Sequence, residues 1–402
     1  LEKIISFAGL LVFIGIAFLL SKNKKTINVR TVLTGIALQF AIGLLILKSP
    51  LASHFFYLTN VASAKIIAFS SEGASFVFGP LANSDVFIFA VGVSATVIFV
   101  GALTALLYHL GIMQFVISLA GKIMQKIMGT SGPESIACAA NVFSGMTEAP
   151  LVVRPYLHKM THSELMAVLT GGLATIAGSV FIVYVKFGID PAHLLSASFM
   201  SAPAALVVAK IMVPELKKPV KDEDVKLTNE YQGANFMDAI CKGAADGLKL
   251  SLNIMAMLVA VIAIIALVNY AFTFAGNLAG IQELTLQKML GYAFAPVAWI
   301  MGVPAKDILA VGQLLGEKII INEFVAYVNL SKIQAALDPR SSIIAIYALC
   351  GFANFSSIAI QIGGISILAP ERRPELAKLS LYSLIGGTIA CLMTATVAGI
   401  LI

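Results

Sequence analysis

The chain has 402 residues, 59% of them hydrophobic and only 12% charged, with a mean hydropathy of +0.93. That is far more apolar than a soluble domain and excludes one. The net charge of +6 does not signal nucleic acid, because the basic residues fall in short clusters between apolar runs. Composition predicts an all-α polytopic membrane protein.

A membrane span needs about 20 mostly apolar residues. Windows at 4–20, 32–47, 86–107, 165–185, 194–213, 250–272, 343–368 and 379–402 predict eight transmembrane helices. The first window follows Leu1 with no cleavage signature after it, so it reads as a trimmed true span rather than a signal peptide. The basic clusters are Lys22, Lys24, Lys25 and Arg30; Lys122 and Lys126; Arg154, His158 and Lys159; Lys217, Lys218, Lys221 and Lys226; and Arg372, Arg373 and Lys378. With the N-terminus outside, all of them fall on the cytoplasmic side, provided that the polar stretches after spans three and six dip in and return. Both termini then face outward.

In chain order, residues 1–83 hold two spans whose one notable polar residue is Gln39, followed by a stretch that reads equally as an interfacial helix or a connecting loop. Residues 84–213 give a long span, a broken polar stretch with Glu148, a glycine-interrupted span and a further span. Residues 247–402 repeat that order with Glu323 in the broken stretch. An odd number of crossings separates the two units, which makes them an inverted repeat. Residues 214–246 are charged and read as a cytoplasmic linker. The four cysteines, Cys138, Cys241, Cys350 and Cys391, lack metal-ligand spacing and read as small core residues.

Residues 128–157 mix apolar arms too short to span with Gly129, Gly132, Pro133, Gly145 and Pro150, so they read as a re-entrant hairpin with its tip at 141–148. Backbone that leaves the helix at membrane depth needs cover from protein or a watery cavity. Glu148 at that tip is a functional candidate by its cost alone; the bland alternative is an idle, solvated helix end. The glycines and hydroxyls of 171–180 either free carbonyls for a cation or permit close helix packing. Residues 295–327 repeat the hairpin logic with Asn322 and Glu323 at the tip. Residues 351–357 interrupt the seventh span; there Asn354 and Ser357 share a helical face and need partners, since an unpaired polar group in hydrocarbon costs about 2–7 kcal/mol. Two carboxylates also raise a membrane-embedded enzyme using Glu148 and Glu323 as acid and base. No adjacent nucleophile, metal cluster or phosphate-cradling loop accompanies them. The residues by themselves thus read as a transporter, with the enzyme and a passive channel as rivals, binding a small polar solute between two tips.

The run Gly316-x-Lys318-x-x-x-Asn322-Glu323-Phe324-Val325-Ala326-Tyr327 resembles the signature of the concentrative nucleoside transporter family at every specified position. The likeness extends through residues 141–150, 171–178 and 351–357. It implies a homotrimer, scaffold spans with an interfacial helix, a mobile transport unit, and sodium-coupled import of nucleosides across the bacterial inner membrane by an elevator-type movement. It also implies that Met146, Thr147, Glu148 and Val180 face the base, that Glu323, Asn354 and Ser357 hold the ribose, and that Phe352 packs beside the nucleoside. The sodium site implied is Asn141, Ser144, Thr175 and Ile176, the last two partly through carbonyls. A proton-coupled member would need a carboxylate to take up the proton, and Glu148 is the candidate. Many pyrimidine-accepting relatives carry Gln where this chain has Met146; with Val180, this resembles purine-preferring members, so purine nucleosides are expected to be at least as good as uridine.

Overall fold

The computed structural model describes residues 1–82, 88–217, 219, 233–278 and 284–402. Every regular element among them is helical. In order these are α1 (Glu2–Leu19), α2 (Val29–Leu47), α3 (Ala52–Phe78), α4 (Phe89–His109), α5 (Ile112–Met128), α6 (Gly132–Asn141), α7 (Ala149–Val152), α8 (His162–Ala174), α9 (Gly178–Lys186), α10 (Pro191–Met212), α11 (Phe236–Leu278), α12 (Leu286–Ile300), α13 (Ile308–Ile320), α14 (Glu323–Ile333), α15 (Pro339–Leu349), α16 (Phe355–Leu368) and α17 (Arg373–Leu401).

The order α4 to α10 recurs as α11 to α17. Each unit has a long outer helix, a connecting helix, a short pair (α6 and α7, α13 and α14), a broken helix (α8 with α9, α15 with α16) and an inner helix. The arms of the second pair, 13 and 11 residues long, measure about 20 and 17 Å, short of the roughly 30 Å hydrocarbon core.

Among the described residues, eight helical stretches are long and apolar enough to cross a membrane. The number matches the sequence expectation, but the membership differs in one place. Ala52–Leu81 qualifies, whereas residues 343–368 do not form one helix: α15 stops at Leu349 and α16 starts at Phe355. The stretch after span two is therefore a 27-residue helix rather than a loop.

Two boundaries also shift, and one helix is new. The second short pair begins at Ile308, because Ala295 to Ile300 complete α12, whose Pro296 is accommodated inside the helix. The segment 214–246 is not all linker, since α11 already starts at Phe236; residues 218, 220–232 and 83–87 lie outside the described set. Amphipathic α5, with Met113, Ile117, Gly121, Met124 and Met128 on its buried face, was not anticipated.

Burial sorts the long helices into two classes. The spanning windows of α8 with α9, α10 and α17 are 83–89% buried, those of α1, α2, α4 and α11 only 17–33%. The buried set forms an inner body with α6, α7, α13 and α15, and α4 packs along α11 on the outside. Gly101 and Gly243 lie at that α4–α11 crossing, where a Cβ on Gly101 would sit 2.6 Å from the Gly243 carbonyl oxygen. Gln39 of α2 is buried and donates to the Thr394 hydroxyl of α17 at 3.0 Å. Cys138, Cys350 and Cys391 are buried as expected, but Cys241 is exposed on α11.

At one end of the inner body, Ser131 and Glu134 form a capping box on α6, and Thr161 and Glu164 form another on α8. Buried Lys210 of α10 joins them: its ammonium lies 2.7 Å from Glu134 and 3.4 Å from Glu215, and it donates to Ser163 at 3.0 Å.

Candidate substrate-binding site

The short pairs and broken helices meet around a cavity of about 170 Å³. This is below the ~300–1,000 Å³ of drug-sized ligand pockets and fits one small solute. All eight substrate residues expected from the sequence line it: Met146, Thr147, Glu148, Val180, Glu323, Phe352, Asn354 and Ser357.

The second pair brings Glu323 there through local capping. α13 ends at Ile320, and Asn322 takes extended backbone and caps α14 by accepting from the Val325 amide at 2.9 Å. Glu323 is then the first residue of α14. Its Oε1 accepts from the Tyr184 hydroxyl at 3.3 Å and its Oε2 from the Asn354 amide at 2.8 Å. Asn354 is fixed by the same device: its Oδ1 caps α16, accepting from the Ser357 amide at 2.8 Å and the Ser356 hydroxyl at 2.7 Å. Asn354 and Ser357 are thus a cap and its third helical residue rather than two positions on one helix face. A carboxylate has about four acceptor positions, so Glu323 is not saturated by Tyr184 and Asn354 and can still accept from a ligand.

The rest of the signature run is structural. Gly316 packs where a Cβ would come within 2.6 Å of Leu290. Buried Lys318 donates to the Ala348 carbonyl at 2.7 Å, and the Tyr327 hydroxyl donates to the Ile346 carbonyl at 2.8 Å. Phe324 stacks edge-on against Phe89, Tyr184 and Phe187.

The first pair is looser. Seven residues separate α6 from α7, and Glu148 caps nothing with its side chain. Its Oε2 accepts from the Gly145 amide at 3.2 Å. Met146 is buried with Leu173, Ala353 and Leu384.

Of the ion-site residues, Asn141 and Thr175 are 2% and Ser144 and Ile176 1% exposed. Asn141 donates to the Ala137 carbonyl at 3.0 Å, but its Oδ1 is buried with no hydrogen-bond partner. Ser144 is bonded to the Tyr108 hydroxyl. The Thr175 hydroxyl is used on the Gly171 carbonyl at 2.7 Å, while its own carbonyl accepts from the Phe352 amide at 3.3 Å. The helix break falls at residues 175–177, after Gly171 and Gly172, which remain helical. The donors of this cluster are oxygens without formal charge, a set suited to a hard monovalent cation. Among the described residues no group of three or more His, Cys, Asp or Glu could hold a metal.

Sequence reasoning missed the outer wall. Leu250, Ile254 and Met257 of α11 line the cavity with Ala177 and Ile360. They sit in an evenly apolar helix, where nothing local separates a lining residue from a lipid-facing one. The histidines lie away from the cavity: His158 pairs with Glu371, His162 with Glu375 at 2.8 Å, and His193 packs on Phe56 and Tyr347.

Comparison with known proteins agrees with this geometry. Family profiles for the C-terminus and N-terminus of Na+ dependent nucleoside transporters match residues 193–399 and 8–81, and a nucleoside-recognition profile matches 90–190. The uncharacterized transporter YutK of Bacillus subtilis is 43% identical over 98% of this chain and 98% of its own length. Sodium/nucleoside cotransporter 1 of Rattus norvegicus is 41% identical over the whole of this chain, which spans 64% of that relative. The structure of CNTnw in an inward-facing substrate-bound state superposes with a TM-score of 0.95 at 40% identity, covering 100% of this chain and 98% of CNTnw. The chain therefore belongs to the concentrative, Na+-dependent nucleoside transporter family, and is a membrane transporter rather than an enzyme.

Proposed function

We propose that this chain is a sodium-coupled symporter that imports nucleosides across the bacterial inner membrane. The observation that carries this is the held Glu323, whose carboxylate is oriented by Tyr184 and Asn354 and faces the same cavity as Met146, Thr147 and Glu148. Its remaining acceptor capacity suits the adjacent hydroxyls of a ribose, and charge-assisted bonds of this kind are about twice as strong as neutral ones. Asn354 and Ser357 complete the sugar side, Phe352 packs beside the nucleoside, and Met146, Thr147, Glu148 and Val180 face the base. Met146 offers a soft sulfur surface and only a weak acceptor, so adenosine is carried at least as well as uridine.

The coupling cation takes Asn141 Oδ1, Ser144 and the carbonyls of Thr175 and Ile176. The orphaned Asn141 oxygen supports this, because a buried acceptor without a partner is costly until a cation meets it. The ion then stiffens the break between α8 and α9, beside Val180 and the first tip.

The two short pairs are re-entrant hairpins of opposite orientation. With the inner body they move as one unit against an outer frame of α1 to α4, α11 and α12, in a homotrimer with both chain termini outside the cytoplasm. The contrast in burial between the two helix classes supports such a division.

Uptake of radiolabelled nucleosides into proteoliposomes tests the reading. Accumulation of unmodified adenosine and uridine, driven by an inward sodium gradient, is expected. Accumulation driven only by an imposed pH gradient would make the proton the coupling ion, and recovery of a chemically altered product would overturn transport.

A further inference from the structure

Lys318 is a charge in a place where none is needed for packing. It lies in the last turn of α13, is 2% exposed, and sends its ammonium 2.7 Å to the carbonyl of Ala348, the penultimate residue of α15. Burying an ammonium costs several kcal/mol unless something offsets it. The nearest carboxylates in sequence take their hydrogen bonds from other donors, although Glu323 and Lys318 interact electrostatically. Glu317 accepts from Gln313 and Asn329, both at 2.9 Å, and Glu323 accepts from Tyr184 and Asn354. The ammonium also meets the C-terminal end of α15, where the helix dipole concentrates roughly half a negative charge although the carbonyls of residues 346–349 each have a donor, Lys318 being that of Ala348.

The last turn of α6, the matching helix in the order of the first repeat, carries no basic residue. That turn ends in Asn141, and the counterpart of the α15 end is the end of α8, with the freed backbone of Thr175 and Ile176. Asn141 brings a buried acceptor with no partner where Lys318 brings a donor.

The two broken helices also abut. The Phe352 amide donates to the Thr175 carbonyl at 3.3 Å, and the Cys391 thiol lies 3.5 Å from the Ala174 carbonyl and 3.6 Å from that of Cys350. A Cβ on Gly351 would come 2.8 Å from the Ala174 backbone. Two negative helix ends thus converge at the centre of the inner body, and each calls for positive charge.

We propose that the Lys318 ammonium is a tethered cation that serves in the second repeat the role the coupling ion serves in the first. The idea rests on the ion site at Asn141 and Thr175, and it makes the two hairpins a matched pair: one carries its cation covalently, the other borrows one from solution. Borrowing makes nucleoside binding at the first tip conditional on the ion, while the second tip stays permanently set.

The test is the sodium dependence of adenosine binding to the purified protein, measured by calorimetry with choline replacing sodium. The slope of log Kd against log[Na+] should rise by about one in Lys318→Asn relative to wild type, because the second site then also needs a diffusible cation, and Lys318→Arg should restore the wild-type slope. A lysine that merely anchors α13 to α15 would weaken binding at unchanged slope, which overturns the proposal. Should Lys318→Asn fail to fold, the reciprocal graft Asn141→Lys decides: binding that has become independent of sodium supports the proposal, and binding that still requires sodium overturns it. A wild-type protein indifferent to sodium sinks the ion assignment alone, since the gain in slope between variant and wild type is read independently of it.

Discussion

The two repeats share an order of elements and differ in how each holds its tip. In the second, only Ile321 and Asn322 interrupt the short pair, side chains cap both α14 and α16, and Glu323 is gripped from two sides. In the first, seven residues interrupt it, Glu148 is bonded through one oxygen to the Gly145 amide, and the neighbouring polar oxygen of Asn141 has no partner. Their outer ends reverse the contrast. The first short pair is anchored by the buried Glu134–Lys210 pair, whereas at the second Lys306, Asp338 and Arg340 are partly solvated around buried Asp307. A fixed tip suits the sugar common to all nucleosides. A looser one suits bases that differ, and leaves room for an ion to control its order.

The largest effect is expected where the first repeat is anchored. Lys210→Met leaves the buried Glu134 carboxylate without its cation, held only by the Ser131 amide, and losing one member of a buried pair costs about 3–5 kcal/mol. Thermal unfolding in detergent should show a drop of several degrees, and adding Glu134→Gln should recover most of it. Equal stability of single and double variants would mean that the pair is not an anchor. Next comes the fixed tip. Glu323→Gln exchanges charge-assisted bonds of about 1.5–3 kcal/mol for neutral ones, so the KM for adenosine and uridine should both rise roughly 100-fold, while their ratio stays put. A change confined to one base would break the assignment of the sugar to the second repeat.

Much of this contrast was legible in the sequence, for identifiable reasons. Glycine, proline, Asn and Glu inside apolar runs cannot lie in lipid unnoticed, so 141–148, 322–323 and 351–357 stand out from the residues alone, while the full set of eight cavity-lining residues comes from the family resemblance. Helix ends were harder to place. Spacing alone puts Asn354 on a helix face with Ser357, although a short side chain that accepts from the amide three residues on is a cap. The second pair was begun too early, since Pro296 is tolerated inside α12. The α11 wall was invisible, because Leu250, Ile254 and Met257 carry no polar mark, and only packing distinguishes them from neighbours such as Val259 that face outward.

The ion-controlled tip predicts a smaller effect with a distinct signature. Asn141→Ala removes the orphaned oxygen, so the half-saturating sodium concentration for uptake should rise about tenfold, the equivalent of ~1.4 kcal/mol. Maximal uptake at saturating sodium should change less. An unaltered sodium curve would remove Asn141 from the ion site and, with it, the reason for the looseness of the first tip.

The smallest effect tests whether that looseness is used for the base. Met146 packs on Leu173, Ala353 and Leu384 at one wall of the cavity. Met146→Gln keeps the length of the side chain but adds a donor and a full acceptor. One new hydrogen bond to a pyrimidine edge is worth about 0.5–1.5 kcal/mol, so competition between cytidine and adenosine should move about three- to tenfold toward cytidine, with Glu323-dependent discrimination against ribose-lacking analogues unchanged. The second readout matters as much as the first. If Met146→Gln altered sugar discrimination as well, the two tips would not be reading separate halves of the nucleoside, and the division between a rigid and an adjustable repeat would fail at its most specific point.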